Sequence, residues 1–195
     1  MSEVLLDPAG VADCLARISA EIAERARGDE GPLLLVAIRR GGDPLATRIA
    51  RKIEAAAGPT IPVVLGSVDV TLYRDDAATA LPNPRIGPSR IPVALEGRRV
   101  VLVDDVLHTG RTIRAALDAV LDYGRPRRIE LAVLVDRGGR ELPIQPDYVG
   151  LRVEVPTGRR VEVVGKRTGP EPGDVEPWAI VVPAPAAAPS QRSSR

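Results

Sequence analysis

Phenylalanine is absent from the 195 residues, and aromatics together make up 2%. A core without large rings has to be assembled from Val, Leu, Ile and Ala. A lone cysteine, Cys14, excludes an internal disulfide and any cysteine-based metal cluster. One histidine, His108, argues equally against a zinc centre. An excess of one charge is also missing. The 27 basic residues face 26 acidic ones, for a net charge of +1. Bulk electrostatics therefore attract neither nucleic acid nor a membrane, and any such binding needs a local basic face. No apolar run reaches the ~18 residues of a membrane span. Residues 1–10 lack the basic-then-apolar pattern of a signal peptide, so the expected location is the cytoplasm. What remains, 44% hydrophobic and 27% charged, suits one ordinary globular domain with a real core.

The pattern of elements points to an α/β fold. Asp7-Pro8 reads as a cap followed by a first-turn proline, and Val11, Leu15, Ile18 and Ile22 recur at helical spacing up to Gly28. Leu33 to Ile38 is a short continuous apolar run, the signature of a strand buried on both faces. Asp43-Pro44 repeats the cap-then-proline signal ahead of Leu45, Ile49 and Ile53, with Gly58 as the stop. Val63 to Tyr73 reads as a long strand, Asp75 to Arg90 as an exposed loop, and Ile91 to Leu95 as a short strand. Val100 to Val103 and Ile129 to Val135 read as buried strands, with a helix from Thr112 to Asp122 between them. Gly138 to Val164 holds short β pieces, and Trp178 to Val182 a last strand. This alternation predicts a mainly parallel sheet flanked by helices. The domain is expected over residues 1–182, and the Pro/Ala/Ser-rich segment 183–195 is expected to be a disordered tail.

Chemistry concentrates in thirteen residues, Val100-Val101-Leu102-Val103-Asp104-Asp105-Val106-Leu107-His108-Thr109-Gly110-Arg111-Thr112. A buried strand leads into two acids and then into a turn that opens a helix. Ligands of parallel sheets sit beyond the carboxyl ends of the strands, where Asp104 and Asp105 are expected. Adjacent carboxylates repel and need a partner; a ribose diol is one, a cation another. The Thr109–Thr112 turn offers backbone N–H groups at a helix N-terminus, an anion site. Gly110 leaves room there for a phosphate to approach the backbone. Diol acceptors beside a phosphate cradle describe a ribose 5-phosphate site. A receiver-type phosphoacceptor also pairs acids at a strand end, but has no use for the Thr-Gly-Arg-Thr cradle.

This string resembles the phosphoribosyl pyrophosphate (PRPP) signature of type I phosphoribosyltransferases. Further segments resemble the PyrR family: Thr71-Leu72-Tyr73-Arg74-Asp75-Asp76, Gly124-Arg125-Pro126, Leu131 to Gly138, Arg140 to Ile144, Asp147 to Gly150, and Pro156-Thr157. The resemblance spans roughly residues 5–165. It implies a type I phosphoribosyltransferase fold: a mainly parallel central sheet flanked by helices, with a small hood. It also implies the joining of uracil to PRPP, giving UMP and pyrophosphate, with Mg²⁺ carried on PRPP. A UMP-responsive contact with pyrimidine-operon mRNA and a homodimer or homotetramer complete the family picture. On that basis Asp104 and Asp105 hold the ribose hydroxyls and Thr109 to Thr112 cradle the 5-phosphate. Arg39 and Arg40 hold pyrophosphate, and Arg74 closes over it. Val135, Asp136 and Arg137 border the base, while His108 flanks the ligand with no proton to transfer. Arg17 and Arg25 match basic positions of the family's RNA face.

The chain departs from the family at two places. Arg39-Arg40-Gly41-Gly42 stands where PyrR usually has a Lys-Thr-Arg-Gly type loop, and Arg does not simply replace Lys at a tight phosphate contact. Ala16, Ala20, Gln145 and Leu151 stand at positions where the family often has polar or basic residues, which removes phosphate-neutralising charge. Two other functions therefore stand beside the enzyme: an RNA-binding attenuation regulator with residual catalysis, and a phosphoribosyltransferase for another base.

Overall fold

Asp7 caps the first helix, as its pairing with Pro8 predicts. Its Oδ1 accepts the Gly10 N–H at 2.7 Å, and Pro8 occupies the first turn, where a missing donor costs nothing. The computed structural model describes residues 3–70, 89–169 and 174–183. In chain order the elements are β1 (Glu3–Leu6), α1 (Pro8–Ala26), β2 (Leu33–Ile38), α2 (Gly42–Ala57) and β3 (Val63–Val68). They continue with β4 (Arg99–Leu107), α3 (Arg111–Leu121), β5 (Arg128–Asp136), β6 (Tyr148–Arg152), β7 (Arg159–Arg167) and β8 (Val175–Pro183).

The apolar runs form one five-stranded sheet in the order β3-β2-β4-β5-β6, with every neighbouring pair parallel. All six residues of β2 are buried, because helices cover both faces. One face packs on α1 and α2 through Val11, Ile18, Leu45 and Ile49, together with Val161, Ala179 and Val181 of the second sheet. The other packs on α3 through Ile113, Ala116 and Val120. The second sheet, β1-β8-β7, is antiparallel and forms the small hood. Arg51 of α2 ties it down through an ion pair to Asp174 at 2.9 Å, and Arg48 donates to the Val175 carbonyl.

At the amino edge of the parallel sheet, the buried Glu130 carboxylate receives Arg99 Nη1 at 2.9 Å, Arg128 Nε at 3.0 Å and the Tyr148 hydroxyl at 2.8 Å. Asp29, in the loop after α1, receives Arg99 Nε at 2.6 Å and the Arg127 guanidinium.

Several boundaries differ from the sequence reading. The β3 ladder stops at Val68, five residues before Tyr73, and residues 71–88 lie outside the described set. Ile91–Leu95 is not a strand. Pro92 offers no donor, and pairing is confined to isolated bridges at Arg90 and Glu96. Helix α2 begins at Gly42, so Asp43 lies in its first turn and does not cap it. Helix α3 starts and ends one residue earlier than predicted. Pro183 is the last residue of β8, whereas the predicted tail began there; residues 184–195 lie outside the described set. Strand β1 had no sequence signal of its own and gains its partner, β8, only through the fold.

Candidate functional site

Strand β4 runs on to Leu107, so Asp104 and Asp105 lie inside it and not beyond its end. The ladder to β2 stops at Val103, whereas the ladder to β5 continues to Leu107 paired with Asp136. On the β2 side, the glycines that open α2 fill the space beside β4. A Cβ on Gly42 would run into the Val103 carbonyl oxygen, and one on Gly41 into the Asp105 carboxyl group. Arg39-Arg40-Gly41-Gly42 therefore carries its glycines because backbone and strand touch there. The Arg39–Arg40 peptide is cis.

Asp104 is 5% exposed, and its Oδ1 accepts the Asp105 N–H at 3.0 Å. Asp105 Oδ1 accepts the Val106 N–H at 2.7 Å. Burial pushes the Asp105 carboxyl above the usual carboxylate value, partly opposed by the Val106 N–H. The Arg39 N–H donates to the Val68 carbonyl, and its guanidinium Nε stands 3.7 Å from Asp43. The Asp43 carboxyl is also raised by burial, with Arg39 opposing and Asp69 adding to the rise. Arg40 is exposed.

After β4 the chain turns through His108, Thr109 and Gly110 into α3. Gly110 has φ +92°, a left-handed conformation that favours glycine. The first helical bond runs from the Arg114 N–H to the Gly110 carbonyl at 2.9 Å. Before it, the Arg111 N–H donates to Thr109 Oγ1 at 3.3 Å, and the Thr112 and Ile113 N–H groups lie in the first turn, the usual condition of a helix start able to receive an anion. Gly110 also has a packing reason within the protein. Its missing side chain would point at Leu142 and Ile144, 3.3–3.4 Å away, so it makes room for the loop after β5. Arg111 pairs with Glu141 at 2.6 Å, and the Thr109 carbonyl accepts the Glu141 and Leu142 N–H groups.

That loop completes the site. The Arg137 N–H donates to the Leu107 carbonyl, and Arg140 Nη1 donates to the His108 carbonyl at 2.9 Å. Asp136 is occupied in shaping the loop. It accepts the Gly138 N–H and pairs with Arg140 at 2.7 Å. Val135 is buried in the strand. An open cleft of about 550 Å³ lies between this loop and the segment joining β6 to β7, lined among others by His108, Arg137, Glu154, Thr157 and Arg159. Sequence reading did not place Glu154, Thr157, Arg159 or Asp69 in this site; it read Asp43 only as a helix cap and Gly41 only as part of the altered pyrophosphate loop. The Thr157-Gly158 turn after Pro156 was the one visible signal.

The structure thus gathers Arg39 and Arg40, the strand residues Asp104 and Asp105, Thr109 to Thr112, and Val135 to Arg137 at the carboxyl edge of the sheet, where ligands of such sheets bind. Arg74 lies outside the described residues. Arg17 and Arg25 are elsewhere, on α1. Arg17 donates to the Val149 and Gly150 carbonyls at 3.0 and 2.6 Å. Arg25 sits 4.7 Å over the Tyr148 ring, within 4 Å of Glu130 and Asp147. No helix among the described residues is long and apolar enough to cross a membrane.

Comparison with known proteins agrees with this geometry. Residues 3–165 match the phosphoribosyl transferase domain. The chain is 54% identical over 161 residues to the bifunctional protein PyrR of Geobacter sulfurreducens, covering 83% of this chain and 89% of that one. It is 54% identical over 159 residues to the bifunctional protein PyrR of Pelotomaculum thermopropionicum, covering 82% and 85%. Among solved structures, the hypoxanthine phosphoribosyltransferase of Trypanosoma cruzi superposes with a TM-score of 0.62 at 19% identity, over 78% of this chain and 82% of that one, a likeness of fold. A domain match over most of the chain, and identity above half over most of each relative's length, place this protein in the phosphoribosyltransferase superfamily as a member of the PyrR family.

Proposed function

We propose that this site makes UMP and pyrophosphate from uracil and PRPP. The observation that carries the reading is the meeting of three loops on β4: the 39–42 loop against Asp105, the helix start at 110–113, and the cleft beside Arg137. Each suits one part of the reactants. The helix start receives the 5-phosphate, with Thr109 and Thr112 hydroxyls beside it. The Asp104 and Asp105 carboxylates accept the ribose hydroxyls and stabilise the positive charge that grows at the anomeric carbon as pyrophosphate leaves. Arg39 and Arg40 flank the leaving group, and Arg74 closes over it and excludes water. The base lies in the cleft bounded by Val135, Asp136 and Arg137.

The donor set fits Mg²⁺ brought by the substrate. No cluster of three or more metal-binding side chains occurs among the described residues, and Mg²⁺ is commonly held by one or two carboxylates together with substrate phosphates. Asp104 and Asp105 would be the carboxylates that share it. A bound Mg²⁺ would supply positive charge against the pyrophosphate.

Pyrophosphate release, measured with PRPP, Mg²⁺ and each free base in turn, tests this reading. Uracil-specific release is the expected result. Release only with a purine, or with no base at all, refutes it.

The word bifunctional in the relatives' names favours a second activity on the same chain, UMP-responsive binding of pyrimidine-operon mRNA. Arg17 and Arg25 would have to serve it from their present contacts with Val149, Gly150 and Tyr148. A gel shift on a leader RNA, with and without UMP, reads this directly; unchanged migration in both arms rules it out. We also infer a cytoplasmic homodimer or homotetramer, built from the domain at 1–182 and followed by a tail. Light scattering on the full chain distinguishes these from a monomer.

A further inference from the structure

The mechanism leaves His108 without a task, although it is the chain's only imidazole and lines the cleft. It follows β4 directly, and its backbone carbonyl is gripped by Arg140. Its side chain lies over Gly139 across the cleft wall. A Cβ built on Gly139 would stand 2.8 Å from His108 Nε2 and 3.0 Å from Cδ2. The Gly139 backbone has φ +72°, so a side chain there would be strained as well as crowded. Imidazole and glycine therefore fit each other: the ring occupies the volume that any larger residue at 139 would claim. Around it stand Arg137 and Arg140, with Glu141 opposing their charge, and Glu154 and Arg159 line the same cleft. Arg137 Nε is buried without a hydrogen-bond partner. Partial burial, then the Arg137 charge, lowers the imidazole below its ordinary value, which favours its neutral form.

Resting on the uracil reading of the cleft, we propose that His108 is a specificity-determining wall of the base site, contacting the pyrimidine ring from the side that Gly139 leaves open. A neutral imidazole presents one donor, one acceptor and a flat face, all matched to an uncharged imide ring. It takes no part in moving a proton. Because Gly139 sets where the ring rests, the two residues act as a unit.

The single histidine makes a direct test possible in the unmodified protein. Its two carbon-bound ring protons are followed by NMR while UMP or ribose 5-phosphate is added, with binding of each measured by calorimetry. UMP is expected to move the imidazole signals, and ribose 5-phosphate, which lacks the base, to leave them nearly in place. Equal shifts with both ligands overturn the proposal, as does calorimetric binding of UMP with unmoved signals. If UMP does not bind at all, the uracil reading itself fails, and this inference with it. Kinetics supply the second readout. His108→Ala is expected to raise the KM for uracil about tenfold, the worth of one lost contact, with the KM for PRPP nearly unchanged. Gly139→Ala should do the same in the native background and little in the His108→Ala background. Additive effects of the two substitutions refute the coupling.

Discussion

Gly41→Ala separates the position of the Asp105 carboxylate from its chemistry. The backbone at Gly41 is helical, φ −65° and ψ −34°, so alanine adopts it without strain. The obstacle is Asp105: the new methyl carbon would lie under 3.0 Å from its Cγ and both oxygens. Relief comes by turning the carboxyl group away, which sacrifices its bond from the Val106 N–H, a charge-assisted bond worth roughly 1.5–3 kcal/mol. Lower conformational entropy of the unfolded alanine chain offsets about 0.4–1 kcal/mol of that. The net stability change is then on the order of 1–2 kcal/mol. The effect on catalysis is larger. A displacement of about 1 Å at a group that stabilises developing charge costs on the order of 10²-fold, or about 2.7 kcal/mol in the barrier. The assay is kcat/KM for PRPP by pyrophosphate release, with thermal melting on the same samples. Gly42→Ala is the contrasting control. Its methyl would meet the Val103 carbonyl, a backbone atom that cannot rotate aside, so stability should fall by about 3 kcal/mol together with activity. Native kcat/KM in Gly41→Ala, or a melting loss as deep as that of Gly42→Ala, would refute the placement of Asp105 at the reacting sugar.

Asp105→Asn should lower turnover sharply yet raise the melting temperature at pH 7. Burial lifts the native carboxyl's pKa, so ionised Asp105 opposes folding above that value, and the amide keeps an acceptor for Val106. The same lifted value places the acid limb of kcat/KM above the ordinary carboxylate range, and a limb at or below pH ~4 contradicts it. Glu130→Gln should destabilise the fold by about 3–5 kcal/mol, because Arg99 and Arg128 lose a buried counter-charge. Tyr148→Phe should cost about 1–2 kcal/mol, and urea denaturation measures both. The Arg99 bond holds the Asp29 carboxyl below its usual value, so its stabilisation is complete above pH ~4 and is lost as the pH falls through the lowered native value. Asp29→Asn should flatten the acid side of the stability curve there.

The elements legible in the sequence are those whose burial is local in pattern. Leu33–Ile38 reads as a two-sided buried strand because it is one, and Asp7-Pro8 caps a helix because both signals lie within a single turn. The thirteen-residue string was legible as strand, turn and helix for the same reason. What was not legible depends on residues far apart in the chain. Arg17 spends its donors on carbonyls 132 and 133 residues away, and no local pattern separates that from a solvent-facing arginine. Gly42 reads as a flexible loop residue until β4 lies against it. Asp104 and Asp105 read as residues beyond a strand because their charge ends the apolar run at Val103, but β5 carries the ladder four residues further, to Leu107. Strand β1, only four residues long and half exposed, exists because β8 offers it an edge.

The hood also imposes an order of events on synthesis. Its middle strand, β8, leaves the ribosome after every other described element, and both β1 and β7 wait for it. All five strands of the parallel sheet, with both acids of β4, have emerged before that moment. A nascent chain therefore completes the parallel sheet, with Asp104 and Asp105 in place, before the strand that carries Arg159 is fastened, so that wall of the cleft is the later one to settle.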